Sequence, residues 1–214
     1  YSNGDIQWNK RLGGSSNLEN ALSIKQISDG GYIVSCASGS NDFDISNNNG
    51  LQDFCLFRLD SNGTVIWQKS YGGSGQDVAY DIIETTNGDF VVTGNTTSSN
   101  LTGHHGLSDG IVMRINSLGE VLWQKILGGS LEDFLFKIRQ TDDGDFVAIG
   151  QTNSSDGDIS GLHGNQIDGW LVKLSASGEL LWQKPMGGSF NDALYGLEII
   201  SGNKILVTGT SNSV

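Results

Sequence analysis

The pattern Gly-x-x-x-Trp-x-Lys-x-x-Gly-Gly-Ser runs four times through a chain of 214 residues, with its indole at Trp8, Trp67, Trp123 and Trp182. The spacings are 59, 56 and 59 residues. A period of this length marks one supersecondary unit copied along the chain, each copy unable to bury its apolar face without a neighbour. The chain reads as a single array over residues 1–214. Its repeats fall at about 4–62, 63–118, 119–177 and, incomplete, 178–214.

Within a unit the signals are those of short strands. Residues 21–28 predict a first strand. Asp29-Gly30 predicts a two-residue hairpin turn, and so do Asn87-Gly88 and Asp143-Gly144, because positive φ favours Asp or Asn followed by Gly. Gly202-Asn203 is the variant in the fourth copy. The second strand is 32–36, matched by 90–94, 146–150 and 205–209. Long polar loops follow at about 39–52, 95–108 and 151–167. The third strand is 54–59, matched by 110–115 and 169–174. A tight turn ending at Gly63, Gly119 or Gly178 then leads into the tryptophan strand. Each unit is a four-stranded antiparallel meander. With 31 glycines and one proline, the composition suits many tight turns.

Radial repetition of such units predicts an all-β fold, a β-propeller of four-stranded blades. Solenoids fit less well, since a β-helix coil is shorter and the helical repeats need a helical period. The phase predicts a fourth strand at Asp5–Lys10, three complete blades and two further strands. That gives fifteen strands, with partial blades at both ends. Either the leading strand closes the last blade into a small ring, or the segment belongs to a longer array in a larger protein. Tyr1 falls inside a repeat, which reads as a mature or excised segment.

Charge narrows the partners. A formal net charge of -12 repels phosphate backbones and anionic membrane surfaces. No apolar run approaches ~18 residues, so no membrane insertion is expected. Cys36 and Cys55 read as buried free thiols, with a cross-strand disulfide as the alternative in an oxidising compartment. Later repeats carry Gly94, Gly150, Ile111 and Trp170 at these places, so neither position requires sulfur.

Side chains that could carry chemistry fall into three sets. Trp8, Trp67, Trp123 and Trp182 read as structural wedges between blades, with a ring-stacking platform as the alternative. Each Gly-Gly-Ser lacks the Lys-Ser/Thr of a phosphate loop and reads as a blade-to-blade connection. The acid after it (Glu19, Asp77, Asp133 or Asp192) should accept hydrogen bonds from the turn amides. The long loops share one end with these connections and hold all three histidines. Asn100, His104, His105, Asp109 and His163 are therefore the candidate binding-loop residues. Asp42 and Asp44 belong to the same oxygen-rich setting, and Asp156, Asp158 and Asp168 are the candidate ligands of a calcium ion. Asn-x-Ser/Thr sequons stand at Asn62, Asn95, Asn100 and Asn153. No catalytic elbow, His-Glu-x-x-His, Cys-x-x-Cys or dinucleotide fingerprint is present, so no catalytic residue is named and no cofactor beyond calcium is expected.

The run Gly-Glu-Val-Leu-Trp-Gln-Lys-Ile-Leu-Gly-Gly-Ser (119–130), with 141–146 and Ser-Ser-Asp-Gly-Asp-Ile-Ser-Gly-Leu-His-Gly (154–164), resembles the repeats of large secreted or surface proteins of Bacteroidetes-type bacteria. Such proteins are often read as β-propellers and are often followed by a type IX secretion sorting domain. The resemblance implies export, a cell-surface location and an adhesive or scaffold role with a protein or glycan ligand, or with neighbouring domains of the same polypeptide. It implies no catalytic residue. Gly-x-x-x-Trp also resembles, over one strand per repeat, the docking motif of quinoprotein propellers. That likeness leaves a quinone-dependent or other propeller enzyme, completed by regions outside the segment, as the alternative function.

Overall fold

The computed structural model describes residues 3–213 and contains only β-strands and turns as regular structure. No helix long and apolar enough to cross a membrane is present among the described residues. The strands are β1 (Glu19–Gln26), β2 (Tyr32–Ser38), β3 (Asp53–Leu59), β4 (Val65–Tyr71), β5 (Asp77–Glu84), β6 (Phe90–Thr96) and β7 (Asp109–Ile115). They continue as β8 (Val121–Leu127), β9 (Asp133–Gln140), β10 (Phe146–Thr152), β11 (Asp168–Leu174), β12 (Leu180–Met186), β13 (Asp192–Ile200) and β14 (Lys204–Ser211). Consecutive strands pair antiparallel into three four-stranded sheets and a final two-stranded one, and no sheet closes on itself.

Two expectations are corrected. Asp5–Lys10 is not a strand, so the described residues hold fourteen strands and no partial sheet at the leading end. The outer strands β4, β8 and β12 each pair with the third strand of their own unit, and among the described residues no third strand lies beside Asp5–Lys10. The hairpins after β1, β5 and β9 are three-residue loops rather than two-residue ones. Ile27 and Gly31 are joined by an amide–carbonyl bond of 3.0 Å, Gly30 donates back to Ile27, and only Gly30 has positive φ, 84°. This is a type I turn followed by a left-handed glycine.

Each pair of successive sheets buries facing surfaces against one another, so the two middle sheets are covered on both faces. Ile33, Phe54 and Leu56 of the first sheet cluster with Ile82, Phe90 and Met113 of the second. Val91, Val112 and Leu127 of the second cluster with Leu135, Phe146 and Trp170 of the third. Val147, Ile149 and Leu171 of the third cluster with Leu194, Leu197 and Val207 of the fourth. We call the two sides of a sheet its leading and trailing faces. Sandwiching on both faces explains why β6 is buried along its whole length and reads as an unbroken apolar and small-residue run. A fully buried Ile or Phe in such a seam contributes about 1.5–3 kcal/mol.

Two β-bulges per unit aim side chains into the seams. In β4 the pairing skips Ile66, so Val65 packs on the leading side while Trp67 joins the trailing cluster. In a regular strand these positions, two apart, would share a face. Leu122 and Leu181 are skipped in the same way. In the innermost strands the skipped residues are Leu22, Tyr80, Phe136 and Tyr195.

Trp67 and Trp123, aimed in this way, land on the next sheet. Trp67 Nε1 donates to the Ser117 carbonyl at 3.1 Å, and its ring meets Phe90 edge-on at 6.5 Å. Trp123 Nε1 donates to the Ala176 carbonyl at 3.2 Å and lies 6.0 Å from Phe146. Arg58 and Arg114 lie over the same two phenylalanine rings at 5.8 and 5.9 Å. Gly178 must be glycine, since its φ is +87° and a Cβ would sit 2.8 Å from the Trp123 ring. Trp8 covers Gly63 and Tyr32 of the first sheet in the same manner, although its segment is not a strand. Trp182, on the last outer strand, is 38% exposed.

Candidate functional site

The long loops fold back onto the Gly-Gly-Ser connections at one end of the sheets, held by a repeated polar lattice. The acid after each connection accepts the amide of its second glycine: Gly14 to Glu19 at 2.7 Å, Gly73 to Asp77 at 2.9 Å, Gly129 to Asp133 and Gly188 to Asp192 at 2.8 Å. A serine after the second strand of each sheet donates to the same carboxylate, as Ser98 does to Asp77 and Ser154 to Asp133, both at 2.8 Å. That serine's Oγ in turn accepts the amide of Gly75 or Leu131. Connections with little sequence propensity of their own become fixed because many of their amides have a side-chain partner.

The loop residues join this lattice. Asn100 Oδ1 accepts the Ser74 amide and Asp156 Oδ1 the Ser130 amide, each at 2.8 Å, and Asp42 Oδ1 accepts the Ser15 amide at 2.9 Å. Asp158 and Asp44 accept the amides of Gly128 and Gly13 at 3.2 Å. The Ser130 amide holds the Asp156 carboxyl below the usual range. Each third strand begins with a buried aspartate that accepts a loop amide. Asn49 donates to Asp53 at 2.8 Å, His105 to Asp109 at 2.5 Å, and His163 to Asp168 at 2.7 Å.

The first glycine of the second, third and fourth connections is held between two carboxylates. A Cβ on Gly72 would lie 2.5 Å from Asp77 Oδ2 and 2.6 Å from Asp53 Oδ1, and Gly128 and Gly187 are enclosed in the same way. Burial pushes the Asp53 carboxyl up to about 6, opposed by the Asn49 amide and assisted by the charge of Asp77. Asp109 and Asp133 are raised for the same first reason.

Several sequence candidates are thereby placed. His104 is buried, with Nε2 3.9 Å from Asp109 Oδ2. His105 and His163 lie at the surface, and His163 Nδ1 is 2.9 Å from Asp168. Asp156 and Asp158 are occupied by separate amides, and Asp168 is buried and accepts the His163 amide instead. Among the described residues no group of three or more His, Cys, Asp or Glu is placed to hold a metal ion, so the suggested calcium ligands are not gathered into one site. Asn95 is buried and donates to Ser108 Oγ at 2.8 Å, which removes it as a modification site. Cys36 and Cys55 face each other across β2 and β3 as buried free thiols, and Cys36 Sγ donates to the Cys55 carbonyl at 2.5 Å.

With the polar groups turned inward, the outer surface of this end is unexpectedly apolar. Leu18, Phe43, Leu51, Leu107, Leu131 and Phe190 are 42–86% exposed. Two pairs among them are neighbours: the Leu107 amide donates to the Leu131 carbonyl, and Gln52 Nε2, next to Leu51, donates to the Leu18 carbonyl. Sequence reasoning missed them because it sought polar chemistry in polar loops. The signal was present, since an apolar residue stands just ahead of the acid at Leu18, Leu131 and Phe190. Also missed was the aromatic row on the inner bulges, where Phe136 stands 5.3 Å from Tyr80 and 5.5 Å from Tyr195. Its signal was an apolar residue three positions after every acid.

No protein-family model matches this chain, and no curated protein does.

Proposed function

We propose that the chain is a non-enzymatic β-propeller interaction module that binds a protein or glycan through its long-loop face. The observation that supports this reading is the group of exposed Leu and Phe side chains on a face whose polar groups are bound to one another. Exposed apolar side chains rimmed by polar residues mark interaction sites. The propeller reading draws on sheets of one build packed in series, each seam repeating the last. A secreted or cell-surface setting and an adhesive role draw on the resemblance of the repeats.

The test uses the 214-residue chain immobilised on a glycan array and in a pull-down from surface-protein extracts. Phe43→Asp together with Leu107→Asp should cut capture of the bound partner at least tenfold, since about 1.4 kcal/mol already corresponds to that factor. Both residues are exposed, so the circular dichroism spectrum should not change. Equal capture by the double variant would move the binding surface away from the loops.

A further inference from the structure

We propose that Cys36 and Cys55 are a site of oxidation, joined by a small-molecule disulfide oxidant into a cross-strand disulfide that clasps the base of the first long loop. The inference concerns neither the apolar loop surface nor export, and it stands without either reading.

Sequence and register coincide at this place. The chain has two cysteines, and the antiparallel pairing of β2 with β3 sets them directly opposite each other. Residues so opposed present their side chains on one face, with Cα atoms about 4.5 or 5.5 Å apart. A disulfide spans Cα separations of roughly 4.4–6.8 Å, so the register already meets its requirement. Both side chains lie in one apolar cluster with Ile45 of the long loop. A hydrogen bond with the Cys55 side chain, and then burial, push the Cys36 thiol upward, which places the two sulfur groups within reach of each other.

The other sheets show that packing does not call for sulfur here. The pair at the same register position is Gly94 with Ile111 in the second sheet and Gly150 with Trp170 in the third. Their glycines are enforced by the bulge of the neighbouring inner strand. A Cβ on Gly94 would lie 1.8 Å from the Val78 carbonyl oxygen, one on Gly150 1.8 Å from that of Phe134, and one on Gly209 1.9 Å from that of Ala193. Of the four sheets, the first alone carries a side chain at this place, and that side chain is a thiol facing the other thiol.

The reaction balances by thiol–disulfide exchange. Cys36, 8% exposed against 0% for Cys55, attacks one sulfur of oxidised glutathione and expels a first reduced glutathione. Cys55 then attacks the Cys36 sulfur and expels the second. The two cysteine protons end on the two glutathione thiols, so the cysteines are oxidised and glutathione is reduced. The new bond closes a ring over residues 36–55, which restricts the unfolded chain and ties down the loop that holds Phe43 and Ile45.

Mass spectrometry and thermal unfolding test the proposal on the folded 214-residue chain equilibrated with oxidised glutathione. The expected product has lost two hydrogens, retains no glutathione, shows no free thiol once denatured, and yields a peptide pair joined through Cys36 and Cys55. Its thermal midpoint should stand about 5–10 °C above that of the reduced chain. Cys36→Ala and Cys55→Ala, taken separately, should each lose this oxidant-dependent rise. Two free thiols or a lasting glutathione adduct on the folded wild-type chain would overturn the proposal. So would a disulfide that forms only in urea, or one that leaves the midpoint unmoved.

Discussion

Individual residues here owe their roles to neighbours one repeat away. Gly72, Gly128 and Gly187 have no side chain because two carboxylates occupy their Cβ space, and burial makes ionisation costly for Asp53, Asp109 and Asp133 among them. The consequence for Asp53 has a definite sign. Its folded-state value near 6 lies above the ordinary 3.8, so the folded protein prefers the protonated form. The contribution is complete below about pH 4, is lost as pH rises from about 4 to 6, and is constant above that. It amounts to roughly 1–3 kcal/mol over that window. Asp53→Asn, which cannot ionise, should flatten the stability profile between about pH 4 and 6 relative to the wild type. Urea denaturation at several pH values measures this. An unchanged slope in the variant would remove Asp53 as its source.

At the scale of the strand, the bulge decides which sheet a side chain serves. Trp123 crosses the seam because the ladder skips Leu122, and it then covers Gly178 and bonds to the Ala176 carbonyl. Trp182 has the same local sequence but is more exposed. Trp123→Ala should therefore cost about 2–4 kcal/mol, toward the lower end of buried aromatic truncations, while Trp182→Ala should cost less than about 1 kcal/mol. Thermal unfolding of the two variants makes the comparison, and equal losses would contradict the clamp. Much of this level was legible in the sequence: the strands of three complete units, their meander order and the connecting role of Gly-Gly-Ser follow from period and turn chemistry. The bulges were not, because alternation cannot show one skipped residue. In the inner strands the seam-facing pairs Ala79 with Ile82 and Leu135 with Ile138 stand three apart, a spacing that a strict two-residue period cannot read. Asp5–Lys10 fails as a strand for a different reason. Its sequence matches β4, β8 and β12, but a strand also needs a third-strand neighbour to pair with.

For the molecule as a whole, one interface is used repeatedly, with loops fixed at one end of it. The candidate site was legible only in location. The loops were found from their length and histidines, but most of their polar groups serve the lattice, and the exposed surface is made of residues such as Phe43 and Leu107 that carry no chemical motif. A calcium cluster was expected from the density of aspartates. The structure instead spends them one by one on backbone amides, which composition cannot distinguish from coordination. Serial stacking also makes stability a sum over neighbouring seams rather than a single core. The central claim is that Trp67 and Trp123 each rest on the sheet that follows their own. Nuclear Overhauser contacts of the Trp123 ring measure this most directly. The account predicts strong contacts to the Gly178 Hα protons, with those protons shifted upfield by the indole. Contacts confined to the strands of Trp123's own sheet, with Gly178 at an ordinary shift, would contradict it.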